Sequence, residues 1–539
     1  MKLYATEEGR YIGRMLRLRR LAGLVGSVLC LLALLTPRLA RAQASAFLPV
    51  DDNAYTYLDA LIARGRLWRL SALERPYRVG DIKRALSADT APASTAIRRL
   101  ERQLAAALVK YDASDVPGVK PDEDALRIAV TPYVFLTQQT SGVRDLMHAD
   151  STSHVRPGVG GVAIVQMGNL VVGARADEDT RLKDDPQYLG QKNRWYVGRM
   201  EDAYIDGQYT YAELFVGRMG RNWGPSQSTG LLIGDYVYTY DQAYMKLGVP
   251  ALNLSGMVTR LDDGFLTTGS TVDTAERYLG VHKLATHLGT FEASFSESVV
   301  YGGTGQGFRP AYMNPVTPFI LSEVSDNNPG NILEAVDGSW RSPFGQFAGQ
   351  FLLDDVSKDK CVPNCQKPNS YGYTLQAEGV PLFGDQRLYG SYTRVANLTY
   401  RNETWYDTYT YQDVSLGAGY SDYDELRGGL DLLLPFGLPL RVYGAYQRQG
   451  EGNYLEPHPL PAQYDSTAQF LQGIVQRTTR AAVSGSAMLG RFVRITGDMG
   501  VNHVVNSQHV TGATVTSFVG RVQVTIDSPW LLAAGLRPE

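Results

Sequence analysis

The densest group of chemically capable side chains lies within residues 217–225. Arg218 and Arg221 supply two guanidinium groups, Asn222 supplies an amide and Trp223 an indole, all within six residues. Planar hydrogen-bond donors beside an aromatic face suit sugar recognition, and arginine pairs bidentately with carboxylates such as those of uronates. The same side chains could equally form a packed, hydrogen-bonded cluster with a purely structural role. The spacing alone leaves both the ligand-binding and the structural interpretation open.

Motifs for catalysis and for metal binding are missing from the sequence. None of the seven histidines falls into H-E-x-x-H or another metal-ligand spacing, and there is no G-x-S-x-G nucleophile elbow. The glycine run at 302–307 lacks the Lys-Ser/Thr pair of a phosphate loop, and the acidic groups at 326–328 and 354–355 lack the spacing of a calcium loop. We therefore expect no enzyme, no cofactor and no metal, with a serine–histidine lipase in a barrel wall as an alternative.

The N-terminal residues have the order of a secretory signal. Basic residues from Arg14 to Arg20 precede the apolar run 21–35, and Ala40-Arg41-Ala42 is an A-x-A cleavage site. The apolar run is shorter than the roughly 20 residues that span a bilayer as a helix, so an uncleaved anchor is the lesser alternative. Met15 is a plausible true start. Removing the predicted signal peptide, residues 1–42, takes away eight basic and two acidic residues, so the net charge of -3 becomes -9.

Two cysteines follow the signal peptide. Cys361 and Cys365 stand in the sequence Cys-Val-Pro-Asn-Cys. In an oxidising compartment this spacing favours a small loop-closing disulfide, a free or strained pair being the alternative. Two sulfurs alone do not form a zinc site.

The chain changes its periodicity near residue 126. Before that point, apolar spacing predicts helices over 54–64, 79–86 and 94–108, in a periplasmic helical region and linker at 43–125. After it, apolar and polar residues alternate with period two. In 492–500, for example, Val493, Ile495 and Met499 oppose Arg494, Thr496 and Asp498, and in 518–527 Phe518, Val522, Val524 and Ile526 oppose Arg521, Gln523, Thr525 and Asp527.

The connections between these strands predict the architecture. Tight turns at 168–169, 288–290, 384–385, 435–439 and 489–490 broadly alternate with long polar loops at 140–157, 177–193, 301–340, 356–370, 397–412 and 449–467. Short turns on one side and long loops on the other are typical of outer-membrane barrels. We therefore predict a mostly β fold in which residues 126–539 form a large antiparallel transmembrane β-barrel of about 16–18 strands, preceded by the small helical region.

The composition agrees with a barrel and excludes other classes. Ample apolar content excludes disorder, and a single long apolar run excludes a polytopic helical membrane protein. The near-neutral balance gives no attraction to nucleic acid. The 33 tyrosines and 55 glycines suit interfacial girdles and tight turns. A secreted β-propeller or solenoid is the alternative, and the missing repeat of about 40 residues weakens the propeller.

Several motifs together resemble those of one known family. Gly217-Arg218, Trp223-Gly224-Pro225 and Gly230-Leu231-Leu232 resemble the signature of the Wzi-like capsule-assembly family of outer-membrane proteins, although Ser226 stands where that motif has a glycine. Further matches extend over most of the mature chain, at 55–65, 75–77, 301–314, 337–341 and 345–355. The resemblance implies 18 strands, a periplasmic helical bundle and a lectin-like, non-catalytic role in holding capsular or other surface polysaccharide at the outer membrane.

The anchoring hypothesis adds a set of expected lumen contacts and partners. The contacts expected to polysaccharide in the lumen are Arg218, Arg221, Asn222 and Trp223, followed by Arg309, Asn314, Arg341 and Asp354. The partners expected are surface polysaccharide, outer-membrane lipid and lipopolysaccharide, and the barrel-assembly machinery, for a monomeric protein. A diffusion or export channel is the alternative function. In that case, an inward fold of the segment 301–340 would occlude the pore.

Overall fold

The computed structural model describes residues 44–114, 125–268, 271–326, 329–355, 367–527 and 532–536. The predicted signal peptide at 1–42 and the predicted disulfide between Cys361 and Cys365 lie outside these residues. Among the described residues, no helix has both the length and the apolar content needed to cross a bilayer.

Eighteen antiparallel strands form one closed barrel, which confirms the predicted fold class. Each strand pairs with the next in the chain, and β18 pairs back with β1, for example Ile526 with Val134. The segment Leu532–Leu536 pairs with the first half of β1. The strands are β1 Leu126–Gln139, β2 His154–Met167, β3 Leu170–Asp179, β4 Gly198–Gln208, β5 Ala212–Met219, β6 Tyr240–Val249, β7 Leu252–Arg260, β8 Thr271–Leu288, β9 Phe291–Gly303, β10 Asn331–Ser342, β11 Gly345–Asp355, β12 Ser370–Pro381, β13 Arg387–Val395, β14 Tyr423–Leu433, β15 Pro439–Gln449, β16 Gln476–Leu489, β17 Val493–Val505 and β18 Thr514–Asp527.

The period-two alternation separates a polar lumen from an apolar outer wall. On β17, Arg494 is buried and faces the lumen, whereas Met499 and Val501 are exposed on the outside. On β9, Glu292 bonds to the N-terminal region inside, and Phe295 is exposed outside. An apolar outer face on a closed sheet fits a bilayer, because no strand edge is left unpaired. The protein is an outer-membrane barrel, and its outer wall contacts membrane lipid.

Short turns and long loops alternate around the barrel as predicted. The predicted tight turns are present, and three further ones lie at 209–211, 250–251 and 343–344. The predicted loop 301–340 is wrong at its C-terminal end, because residues 331–342 form strand β10 with clear alternation. The long loop at 220–239 and the connections from β7 to β8 and from β17 to β18 were not predicted. Exposed aromatic side chains mark the short-turn end of the barrel, where bilayer interfaces favour them: Tyr211, Phe344, Phe383, Phe436 and Phe492.

Most tyrosines serve the interior rather than the girdles. Tyr400 Oη donates to Leu231 O at 2.7 Å and Tyr409 Oη donates to Leu232 O at 2.9 Å, both deep in the lumen. Tyr55 Oη donates to Leu48 O at 3.1 Å. A tyrosine ring fills apolar space while its hydroxyl satisfies a buried carbonyl. The high tyrosine content therefore reflects a filled lumen.

The N-terminal region, residues 44–114, contacts the barrel from inside and is called the plug below. Its helices are α1 Ala54–Ile62, α2 Val79–Ala88 and α3 Thr95–Leu108, within about two residues of the predicted bounds. Ser94 caps α3 by accepting a hydrogen bond from Ile97 N at 3.1 Å. Arg64 Nη2 donates to Asp431 O on β14 at 3.1 Å, and Arg99 Nη1 donates to Pro435 O in a short turn at 2.9 Å. The plug thus lies at the short-turn end of the lumen.

Two loops fold into the lumen above the plug. They span 220–239 and 396–422 and are called the inner loops. In the first, Gly224 N donates to Leu73 O of the plug, and Asn222–Trp223 pairs with Glu74–Arg75. The second contains the short pair Thr410–Tyr411 and Val414–Ser415. The remaining helix, α4 Phe319–Asp326, belongs to the loop between β9 and β10.

Candidate functional site in the lumen

The central residues of the 217–225 stretch are buried and bonded within the protein. Arg221 Nε donates to Gln242 Oε1 at 2.6 Å, and its guanidinium lies 3.8 Å from the centre of the Tyr244 ring. Asn222 closes the first inner loop, since its side chain donates to Ser228 O and accepts from Gly230 N. Trp223 is fully buried. Arg221 and Trp223 thus hold the inner loop to the barrel wall, and Asn222 holds the loop itself closed.

Three other predicted contacts face away from the lumen. Arg218 alternates with the inward Met219 on β5 and pairs with the exposed Asp241 at 2.7 Å. Arg309 Nη1 donates to Pro329 O at 2.7 Å, and Asn314 Nδ2 donates to Thr317 Oγ1 at 2.7 Å. The last two lie in the loop between β9 and β10.

The remaining two predicted contacts face inward and hold the plug and an inner loop. Arg341 donates to the plug carbonyls of Trp68 and Leu70. Asp354 is half-buried, and its Oδ2 accepts from Tyr400 N at 2.7 Å. None of the eight predicted residues lines the large cavity of the barrel.

That cavity has a volume of about 930 Å³ and runs along the lumen. At the long-loop end it is lined by Arg144, Tyr236 and Tyr420, and at the short-turn end by Pro439 and Gly485. One side is formed by the plug and the two inner loops, and the other by the inner face of the strands. The free space therefore passes beside the plug, over most of the height of the barrel.

Charged side chains cover the cavity wall, and most of the cations are paired. Arg175 is the densest case, since it donates to both oxygens of Asp51 on the plug, at 2.7 and 3.0 Å, and to Asp202 on β4 at 2.7 Å. Arg441 pairs with Asp431 through two bonds of 2.6 and 2.9 Å. Such bidentate pairs are stronger than ordinary hydrogen bonds.

Carboxylates outnumber cations in the cavity lining. The cations are Arg64, Lys110, Arg144, Arg175, Arg181, Arg427, Arg441, Arg494 and Arg521. The carboxylates are Asp51, Asp52, Asp59, Asp145, Asp177, Asp179, Asp185, Glu201, Asp202, Asp235, Glu425, Asp431 and Asp498. The fixed charge along the cavity is therefore negative when all carboxyls are ionised.

Burial and ion pairing shift the pKa values of the plug groups in opposite directions. Burial raises the pKa of Asp52, but Lys110, whose Nζ lies 2.7 Å from Asp52 Oδ2, and Arg494 outweigh it and hold that pKa well below its usual range. Burial raises the pKa of Asp59, against the opposing charge of Arg75. Burial also lowers the pKa of Arg64 to about 10. Asp52 thus stays charged, whereas Asp59 is more easily neutralised.

The sequence contained a signal for this cavity. The polar faces predicted for 492–500 and 518–527 include Arg494, Thr496, Asp498, Arg521, Gln523 and Thr525, and all of these line the cavity. The cavity residues from the plug, such as Asp51 and Lys110, carried no recognisable pattern. Only the folding of the plug into the barrel brings them to the wall.

No family model and no curated protein matches the chain. Among solved structures, OccD3 (OpdP) of Pseudomonas aeruginosa matches at 10% identity over 78% of this chain and 94% of that chain, with a TM-score of 0.43. OccAB4 of Acinetobacter baumannii matches at 10% identity over 77% and 100%, with a TM-score of 0.42. The outer membrane protein OprD of P. aeruginosa matches at 10% identity over 78% and 96%, with a TM-score of 0.38. These neighbours are Occ and OprD proteins rather than capsule-assembly proteins. The predicted membership of the Wzi-like family is therefore wrong. The polysaccharide-anchoring function that was predicted from it is wrong as well.

Proposed function

We propose that the protein is a passive, non-catalytic outer-membrane channel for small polar solutes. The observation that carries this proposal is the cavity of about 930 Å³ that runs beside the plug from the long-loop end to the short-turn end. A polar, water-filled lumen is the usual interior of a large outer-membrane barrel. The plug narrows the path and so limits the solutes to small ones.

The lining supports a preference for cationic solutes. A wall with more carboxylates than cations attracts positive charge, because low-dielectric walls focus the field inside a narrow passage. The paired arginines, such as Arg175 and Arg441, leave the guanidinium charge largely compensated. Charged solutes entering the passage then meet hydrogen-bonding groups on all sides in place of water.

Conductance in planar bilayers tests the proposal. The purified full-length mature protein is expected to give discrete conductance steps, and a KCl gradient is expected to give a reversal potential of the sign for cation preference. The substitution Arg521→Glu removes a cavity cation and is expected to strengthen this preference. Arg477→Glu is the matched control, since Arg477 is exposed and alternates with the inward Thr478 and Arg480. A silent protein, or equal shifts in the two variants, would count against the channel.

A further inference from the structure

In the loop between β9 and β10, the described residues 308–326 lie against the outside of the barrel. On β8, Lys283 faces inward, because its Nζ lies 5.0 Å from the centre of the Trp223 ring. Side chains alternate along a strand, so Gly280 and His282 face outward. A Cβ placed on Gly280 would lie 2.6 Å from Tyr312 O. Tyr312 therefore packs on the outer wall, and the segment 308–326 is called the external strap below.

Under the strap lies a row of ionisable side chains on three neighbouring strands. His282 on β8, Glu297 on β9 and Glu334 on β10 are register partners and all face outward. His282 Nε2 and Glu297 Oε2 are 2.6 Å apart, and Glu334 stands directly beside Glu297 on the neighbouring strand. The next row toward the short turns is apolar and consists of Leu254, Leu284, Phe295 and Val336.

The polar row falls within the height of the hydrocarbon layer. Glu297 lies six residues from Phe291, which begins β9 at the short-turn end. Six residues correspond to roughly 20 Å along a strand and to about 15 Å of height at a tilt of ~40°, inside an apolar band about 25 Å tall. Ionisable groups facing lipid at that depth are unfavourable unless another part of the protein covers them.

The strap supplies that cover. The Phe319 ring packs on His282 with a centroid distance of 4.2 Å, and Phe319 N donates to Glu297 Oε2 at 3.1 Å. Pro315 packs on the outward-facing Gly256 of β7. Two outward glycines, Gly256 and Gly280, thus make room for the strap on the wall. The polar row is hydrogen-bonded from above and shielded from the surroundings.

The other face of the strap is apolar and uncovered. Val316, Ile320, Leu321 and Val324 are exposed, Val324 by 78%. This face continues the lipid-facing surface formed by Leu284, Phe295 and Val336, which are exposed on the wall just below the strap. A continuous apolar surface on the outside of a barrel has the acyl chains of lipid as its natural solvent.

We propose that the external strap is seated in the outer leaflet of the membrane, with Val316, Ile320, Leu321 and Val324 among lipid acyl chains and the His282–Glu297–Glu334 row sealed beneath it. The strap is then a lipid-binding element of the barrel wall. This role is independent of whether the lumen conducts.

Spin-label accessibility tests the environment of the strap. The label is placed at Val324→Cys in the full mature chain with both native cysteines replaced by serine, reconstituted in phosphatidylcholine vesicles. Power saturation is expected to give an accessibility ratio of oxygen to a water-soluble nickel complex close to that at Val336→Cys on the lipid-facing wall. The ratio is expected to be several-fold higher than at Val510→Cys, an exposed position in a long loop. High nickel accessibility at 324 would overturn the proposal, and so would low accessibility to both reagents, which would show a second protein copy covering the strap.

A pair of glycine substitutions in the chain with its native cysteines gives a second test. Gly280→Ala is expected to lift the strap because the new Cβ meets Tyr312 O, and chymotrypsin added on the long-loop side is then expected to cut within 308–326 several-fold faster. Gly338→Ala is the matched control, since Gly338 faces outward on β10 with no atom within 4 Å of its added Cβ. Wild-type protein cut within the strap as fast as Gly280→Ala would overturn the proposal.

Discussion

Asn222 shows how a residue that resembles a ligand-binding group can be committed to the fold. Its amide is 1% exposed and bridges Ser228 O and Gly230 N, at 2.8 and 2.6 Å. Asn222→Ala leaves both backbone groups without a partner and is expected to lower the free energy of unfolding by about 2 kcal/mol. Denaturant titration of the barrel in detergent, followed by tryptophan fluorescence, measures the loss.

Arg218 in the same stretch is the control for Asn222. Its partner Asp241 is 72% exposed, and pairs of this kind contribute less than about 1 kcal/mol. The free energy of unfolding of Arg218→Ala is therefore expected to differ from that of the wild type by less than about 1 kcal/mol. Equal losses in Asn222→Ala and Arg218→Ala would contradict the assignment of Asn222 to the lock of the inner loop.

At the scale of single residues, the sequence indicated which side chains lie in the lumen region better than it indicated what they bind. Arg221, Asn222 and Trp223 were expected to contact a ligand in the lumen, and they lie in the lumen region but hold the first inner loop. Their partners, such as Gln242 and Gly230, are reached only after the loop folds inward. Pairings over such distances along the chain leave no local pattern in the sequence.

At the scale of elements, the second inner loop carries a buried acid that makes its stability depend on pH. Burial raises the pKa of Asp407 to about 7, although the charges of Arg277 and Arg309 lower it. Because the folded pKa exceeds the ordinary value of 3.8, the protonated carboxyl stabilises the folded state at low pH. This contribution is complete below about pH 4 and is lost as the pH rises through about 7.

Asp407→Asn is expected to remove this part of the pH dependence, because the amide cannot ionise. Between pH 5 and pH 8, the thermal midpoint of the wild type is expected to fall further than that of the variant. Folded barrel and unfolded chain migrate as separate bands on SDS gels, and the temperature at which half of the folded band is lost gives each midpoint. Parallel pH profiles for the two proteins would show that Asp407 does not titrate in this range.

Elements with a local signal were predictable, and elements set by tertiary contacts were not. The three helices of the plug have amphipathic spacing and Ser94 caps α3, so their bounds agree with the predictions within about two residues. Strand β10 was taken for loop because it follows a long glycine-rich segment. The inner loop 220–239 is fixed by contacts such as Leu231 N with Gln350 Oε1 at 2.6 Å on a distant strand. No residue close to Leu231 in the sequence indicates that contact.

At the scale of the whole molecule, the plug decides how much of the lumen is free. The plug is held to the wall by separated contacts on several strands, including Asp51 with Arg175 on β3, Tyr57 with Ser486 on β16 and Arg64 with Asp431 on β14. If the barrel is a channel, the cavity beside the plug sets its conductance. A lumen freed of the plug would then carry more current, because the plug forms one side of the cavity and only the two inner loops would remain beside the strands.

Deletion of residues 44–114 is therefore expected to raise the single-channel conductance several-fold in planar bilayers. A milder variant covers the case in which the truncated barrel fails to fold. Asp51→Asn weakens the plug side of the Arg175 pairing and leaves the Arg175–Asp202 pair in place, at 2.7 Å. It is expected to add brief openings of higher conductance to the wild-type steps. Arg175 pairs with Asp51 and Asp202 at the same time, so loss of one pair loosens the plug without breaking the other. Conductance records of Asp51→Asn that match those of the wild type would contradict this expectation. They would show that the plug does not move and that solutes use only the passage beside it.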